Sequence, residues 1–124
     1  EDNMHIDLIQ ARENLRVKLM QNAELVLQQV LNMNIDGLVE AGLFGSLSNN
    51  KFTCNSDADI YLVFEDKIPD RQTKGLIRSI AEENNCDIVF LTLNDFMKDE
   101  PDLLIKNILK NRIILWRRDV SDKK

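Results

Sequence analysis

Histidine is almost missing from this 124-residue chain: the only one is His5, close to its start. A triad or an imidazole acid–base pair needs histidine on a well-held element, so chemistry of that kind is not expected. Cysteine is scarce too. Cys54 and Cys86 match no zinc-ligand spacing, and the opening "EDNMHIDLIQ" is neither basic nor apolar enough for a secretory leader, so reduced thiols and a cytoplasmic location are expected. No apolar run approaches the roughly 20 residues of a membrane span. An excess of positive charge is also lacking. The formal net charge is −5, which argues against broad nucleic-acid binding but leaves room for a nucleotide whose charge is carried by metal ions.

What is present describes one domain over residues 1–124, with 1–4 and 119–124 as loose ends, large enough to form a core without disulfide or metal staples. From His5 to Met33 there is no glycine or proline, and Ile6, Ile9, Leu15, Leu19, Ala23, Val26, Val30 and Met33 recur mostly three or four apart. That spacing predicts one long amphipathic helix or two short ones. "NIDG" at 34–37 ends it. Leu38–Phe44 reads as a strand interrupted by Glu40 and Gly42, and Ser46 is placed to cap a short helix over 47–51. "ADIYLVF" (58–64) has the composition of a strand buried on both faces. Residues 70–84 carry Leu76, Ile77, Ile80 and Ala81 on one helical stripe, and "CDIVFLT" (86–92) is a further strand. Asn94 is placed to cap a turn of helix. Pro101 suits the first position of a helix whose apolar face is Leu104, Ile105, Ile108 and Leu109. "RIILW" (112–116) closes the series, and the charged tail after it reads as solvated, with Arg117 and Arg118 available to an acidic partner. Short strands between helices give an α/β (α+β) layer architecture with a small mixed sheet, a long N-terminal helix and an undetermined strand order.

The chemistry concentrates in "FGSLSNNKFTCNSDADIYLVF". Residues two apart in a strand share a face, so Asp57 and Asp59 point together where a buried strand begins. Taken alone, "NSDAD" reads equally as a turn and a strand cap. A hard cation, or two, offsets the repulsion of the paired carboxylates and favours their ionised forms. Asp87 also opens an apolar strand. If the two strands are neighbours with matching ends, it completes a triad, and three carboxylates around two divalent ions suit in-line phosphoryl or nucleotidyl transfer. Asp87 is then placed to receive the nucleophile's proton. Gly45 permits close backbone approach to a phosphate, Ser46 adds a hydroxyl donor, and Lys51 is the only cation in the ten residues between Ser46 and Asp57.

Gly45-Ser46, ten residues, then Asp57-x-Asp59 in an apolar strand, with Asp87 in a later one, resembles the minimal nucleotidyltransferases of the DNA polymerase β superfamily. The resemblance runs from about residue 20 to about residue 118 and takes in the closing "IKNILKNRIILW". It implies a nucleotidyltransferase fold in which Asp57, Asp59 and Asp87 hold two Mg²⁺ ions and Gly45, Ser46 and Lys51 meet the triphosphate of ATP. Compact members of that family act as antitoxins paired with a helical HEPN-domain toxin, which implies AMP transfer (AMPylation) to a tyrosine of that partner. Two alternatives stand beside it: modification of a small molecule such as an aminoglycoside, and a catalytically weak antitoxin that acts by binding alone.

Overall fold

The computed structural model describes residues 2–45 and 57–118. The predicted Ser46-capped helix, with Ser46, Lys51 and Cys54, lies outside the described residues. The elements run α1 (Asp2–Asn32), β1 (Leu38–Phe44), β2 (Ala58–Phe64), α2 (Arg71–Glu83), β3 (Cys86–Thr92), α3 (Leu93–Met97), α4 (Leu103–Asn111) and β4 (Ile113–Arg117). The long apolar repeat at the start forms one helix rather than two. Asn34 and Gly37 both take positive φ in the turn that follows it, which accounts for the break at "NIDG".

The four strands lie in the order β3-β2-β1-β4. β1 pairs antiparallel with β2 and with β4, whereas β2 and β3 are parallel and in register from Ala58↔Cys86 to Phe64↔Thr92. The sheet is therefore mixed, with the parallel pair joined through α2. Asp70 caps α2, its carboxylate accepting from the Thr73 N–H at 2.8 Å.

Alternation along the strands splits the core into two layers. One face, with Ala58, Ile60, Leu62 and Phe64, packs with Leu19, Ala23, Val26 and Val30 of α1 and Ile77 and Ala81 of α2. The other, with Tyr61 and Val63, packs with Phe44, Leu91 and the α4 residues Ile105 and Ile108. Asp59 and Asp87 share the second face, at the end of the sheet where β1 finishes and β2 and β3 begin.

Three expectations need correction. β1 runs unbroken from Leu38 to Phe44, and Glu40 and Gly42 mark shifts of register in its pairing with β2 and β4 rather than breaks in the strand. A Cβ on Gly42 would run into the Ile113 carbonyl and come within 2.9 Å of the Tyr61 ring, so the glycine makes room for a tyrosine against the strand. Glu40 is buried because the tail returns to neutralise it. Arg112 Nη1 donates to it at 2.8 Å, Arg117 Nη2 at 3.1 Å and the Tyr61 hydroxyl at 2.5 Å. Arg117 is thus the last residue of β4 and, exposed itself, pairs with the buried Glu40, while Arg118 pairs with Glu65 at 3.1 Å; the tail is not simply solvated. At the small helices, α3 is capped by Thr92 rather than Asn94, with the Asp95 carboxylate accepting from the Thr92 N–H at 2.9 Å. Pro101 precedes α4, whose cap is Asp102.

Candidate active site

The backbone that brings the acidic side chains together is the β2–β3 pairing. Asp59 is the second residue of β2 and Asp87 the second of β3, and the two are register partners. Partners in a parallel pair point to the same face, so their carboxylates are neighbours. Asp57 sits just before β2 and is exposed, two residues from Asp59 and close enough for its charge to act on that carboxyl. On the other side of β2, Phe44 of β1 is the register partner of Asp59. Gly45 follows it at φ +79°, and a Cβ there would run into Asp59 Oδ2. The chain therefore turns immediately beside the Asp59 carboxylate, through a residue that only glycine fits without strain.

Electrostatics report the same convergence. Burial raises the Asp59 carboxyl to about 6, and the charges of Asp87 and then Asp57 push in the same direction. The thiol of Cys86 feels all three aspartates as well. Burial lifts it to about 12, with further contributions from Asp57, Asp87 and Asp59. Cys86 is free and buried, faces α2, and is inert at neutral pH.

The donor set fits a hard divalent cation. It is all oxygen, and it carries like charges that the cation would relieve. No group of three ligating side chains among the described residues is already gathered into a metal cage. Three adjacent carboxylates without a counter-ion repel one another, so their shared face is the informative feature.

Three of the six candidate residues, Asp57, Asp59 and Asp87, meet at one sheet end, with Gly45 alongside. Ser46 and Lys51 lie outside the described residues. A cleft of about 650 Å³, lined by Met33, Ile35, Lys67, Pro69 and Asp70 among others, is at the opposite end of the sheet and holds none of these groups. Sequence reasoning missed the Glu40 network beneath the site. Tyr61, two residues along from Asp59 on the same face, is fully buried. Its ring lies 6.5 Å from those of both Phe44 and Phe96, and burial together with the bond to Glu40 raises its phenol. The signal available was a lone glutamate in an apolar strand with arginines at either end of the last one.

Residues 26–121 match the family described as polymerase beta, nucleotidyltransferase. Three solved structures share the fold. A protein from Sulfolobus solfataricus assigned as a nucleotidyltransferase is 19% identical, covering 86% of this chain and 87% of that one at a TM-score of 0.59. A chain of a toxin–antitoxin structure with AMP-PNP is 23% identical, with coverage of 81% and 77% and a TM-score of 0.56. A chain of the complex between a tri-AMPylated Shewanella oneidensis HEPN toxin and its MNT antitoxin is 20% identical, with coverage of 85% and 77% and a TM-score of 0.53. No curated protein matches the chain significantly in sequence. The aspartates of β2 and β3 stand at the end of a sheet whose topology these structures share, within a segment that matches a single family over most of its length, and the chain belongs to the polymerase β nucleotidyltransferase family.

Proposed function

We propose that this chain transfers AMP from ATP, with magnesium, to a hydroxyl on a partner protein, specifically a tyrosine of a HEPN-type toxin, and so acts as its antitoxin. The observation that carries the reading is the in-register pairing of Asp59 with Asp87, with the charge of Asp57 acting on Asp59 and the Gly45 turn against it. The structurally similar toxin–antitoxin complexes, one with AMP-PNP and one with a tri-AMPylated toxin, support the choice of donor and acceptor.

Asp57, Asp59 and Asp87 would hold divalent cations, which supply charge neutralisation for the triphosphate and the leaving pyrophosphate. The residues do the rest. Gly45 lets the main chain lie close to the phosphates, with Ser46 and Lys51 as further contacts in this reading. Asp87, exposed and at the edge of the sheet, takes the proton of the attacking hydroxyl. The acceptor oxygen then bonds to the α-phosphorus, the α–β bridging bond breaks, and pyrophosphate leaves. A domain this small has no separate acceptor-binding domain among its described residues, so a protein that brings its own hydroxyl is the fitting acceptor.

The test uses ATP labelled in its α-phosphate, with magnesium and HEPN-domain proteins as acceptors, the Shewanella toxin among them. Label should reach the acceptor with the native chain and should be lost in Asp57→Asn and Asp59→Asn. Full transfer by those variants would remove the aspartate site from the chemistry. Neutralisation of the toxin by a double variant that transfers nothing would replace the enzyme with a binding-only antitoxin.

A further inference from the structure

α1 runs past the sheet that it covers. Its buried residues begin at Leu19 and continue through Ala23, Val26 and Val30, with Leu15 half-buried at the margin of that core. Before Leu15, every residue from Leu8 to Asn14 is exposed. Seven consecutive residues make almost two full turns, so no side of the helix is packed there against the described residues. Gln10 donates to Asn14 at 3.0 Å and Arg16 pairs with Glu13 at 3.6 Å, both within the helix. The family match begins only at residue 26, so this arm lies outside the segment that carries the fold.

A helix of this length standing alone is marginal in water, and this one shows apolar surface: Leu8 is 66% exposed and Ile9 56%. Leu8 stands one heptad before Leu15, on the same line of the helix as the residues that enter the core. Along that line the sequence places Met4, Leu8, Ala11 and Leu15, spaced four, three and four apart. That is the seam pattern of a two-stranded coiled coil, and it reads the same in either direction. Two copies laid antiparallel set position 8 of each opposite position 11 of the other, and position 4 opposite position 15. Charge selects this arrangement. Residues 1–9 contain Glu1, Asp2 and Asp7 and no lysine or arginine, whereas residues 10–18 contain Arg12, Arg16 and Lys18 against Glu13 alone. Antiparallel pairing sets the acidic half of one helix along the basic half of the other, and parallel pairing would set like beside like.

We propose that this arm is a dimerisation element, and that its occupant is the same arm of a second copy, packed antiparallel with Leu8 of each against Ala11 of the other. The contact is isologous, so it closes at two copies. The two sheets then stand at opposite ends of the paired helices, and the pairing leaves the aspartate site of each copy uncovered by the other's arm. The inference does not depend on the transfer reaction proposed above and would stand if that reaction were wrong.

Sedimentation equilibrium of the full chain, taken up to about 500 µM because a contact this small holds weakly, should show a monomer–dimer equilibrium. Leu8→Glu should weaken the dimer at least about tenfold, since it puts a charge into the seam. Val17→Glu, at an exposed position on the opposite side of the helix, should leave it within about twofold. Both substitutions lie at exposed positions, so the melting of the domain should keep its native midpoint. Asp7→Lys should weaken the dimer about threefold, because the two-fold axis repeats the lost attraction. A native chain that stays monomeric over the whole range, a dimer indifferent to Leu8→Glu, or one equally sensitive to Val17→Glu would each overturn the arm as the interface. A tighter dimer in Asp7→Lys would overturn the antiparallel arrangement. Amides of residues 8–14 that become protected from hydrogen exchange only when a HEPN-domain protein is added would overturn the second copy as the occupant and give the arm to that protein.

Discussion

Replacing Asp59 with asparagine should make the metal-free protein more stable while abolishing its activity. The carboxyl, moved from its ordinary 3.8 to about 6, carries a penalty on its ionised form of about 3 kcal/mol at about 1.4 kcal/mol per pH unit. Asp59 keeps part of its surface in water, so screening brings the usable figure to about 1–2 kcal/mol. Below about pH 4 the group is protonated in both folded and unfolded chains, and the penalty is absent. As pH rises from about 4 to about 6 the unfolded chain releases the proton first, so stability falls. Above that window the full penalty is present. Asparagine is nearly isosteric and never ionises, so the variant should gain about 4–8 °C in Tm at pH 7.5 without metal, fading to nothing near pH 4.

Thermal melts at the two pH values, with and without magnesium, check each step. Magnesium should raise the native Tm at pH 7.5 and leave the variant almost unmoved, because a ligand stabilises only the state that binds it. Equal gains at both pH values would mean that the substitution acts through packing rather than charge. A loss of stability at pH 7.5 would refute the account of Asp59 as a destabilised carboxylate.

Other substitutions test neighbouring parts of the argument. Gly45→Ala should cost about 1–2 kcal/mol from the positive φ alone, and its methyl group should displace the Asp59 carboxylate, so magnesium stabilisation measured by melting should disappear even where the fold survives. Asp87→Asn should leave AMP-PNP binding by calorimetry within a few-fold of native and reduce labelled AMP transfer about 10²–10⁴-fold, the usual cost of losing a general base. Glu40→Ala should cost about 3 kcal/mol in urea unfolding, since it strips the acceptor from Tyr61, Arg112 and Arg117 together. Tyr61→Phe should cost only about 1 kcal/mol, because Glu40 keeps both arginines.

How much of this was legible beforehand depends on the range over which each residue acts. Asp57 and Asp59 declare themselves locally, as two carboxylates two apart where an apolar strand begins, although β2 takes in only the second of them. Asp87 needed one further condition, that its strand lie beside and parallel to theirs, and the β2–β3 register meets it. Glu40 could not be read locally. Its partners Tyr61, Arg112 and Arg117 lie 21, 72 and 77 residues away, and only the return of β4 along β1 brings them in, so a buried glutamate looked like a break in the strand. Gly42 looked like another because the ring it accommodates belongs to β2.

Glu40 and Asp59 differ in what the fold places around them. Both belong to the layer that contains Tyr61, and both would be costly if left charged and alone. The chain neutralises Glu40 itself with two guanidinium groups and a phenol. Among the described residues nothing comparable acts on Asp59: the charges that act on that carboxyl are Asp87 and Asp57, and both make ionisation harder. Asp87, held in register, and Asp57, two residues away along the chain, deepen the deficit. A deficit that no cation among the described residues offsets fits a site whose compensating charge comes from bound ions.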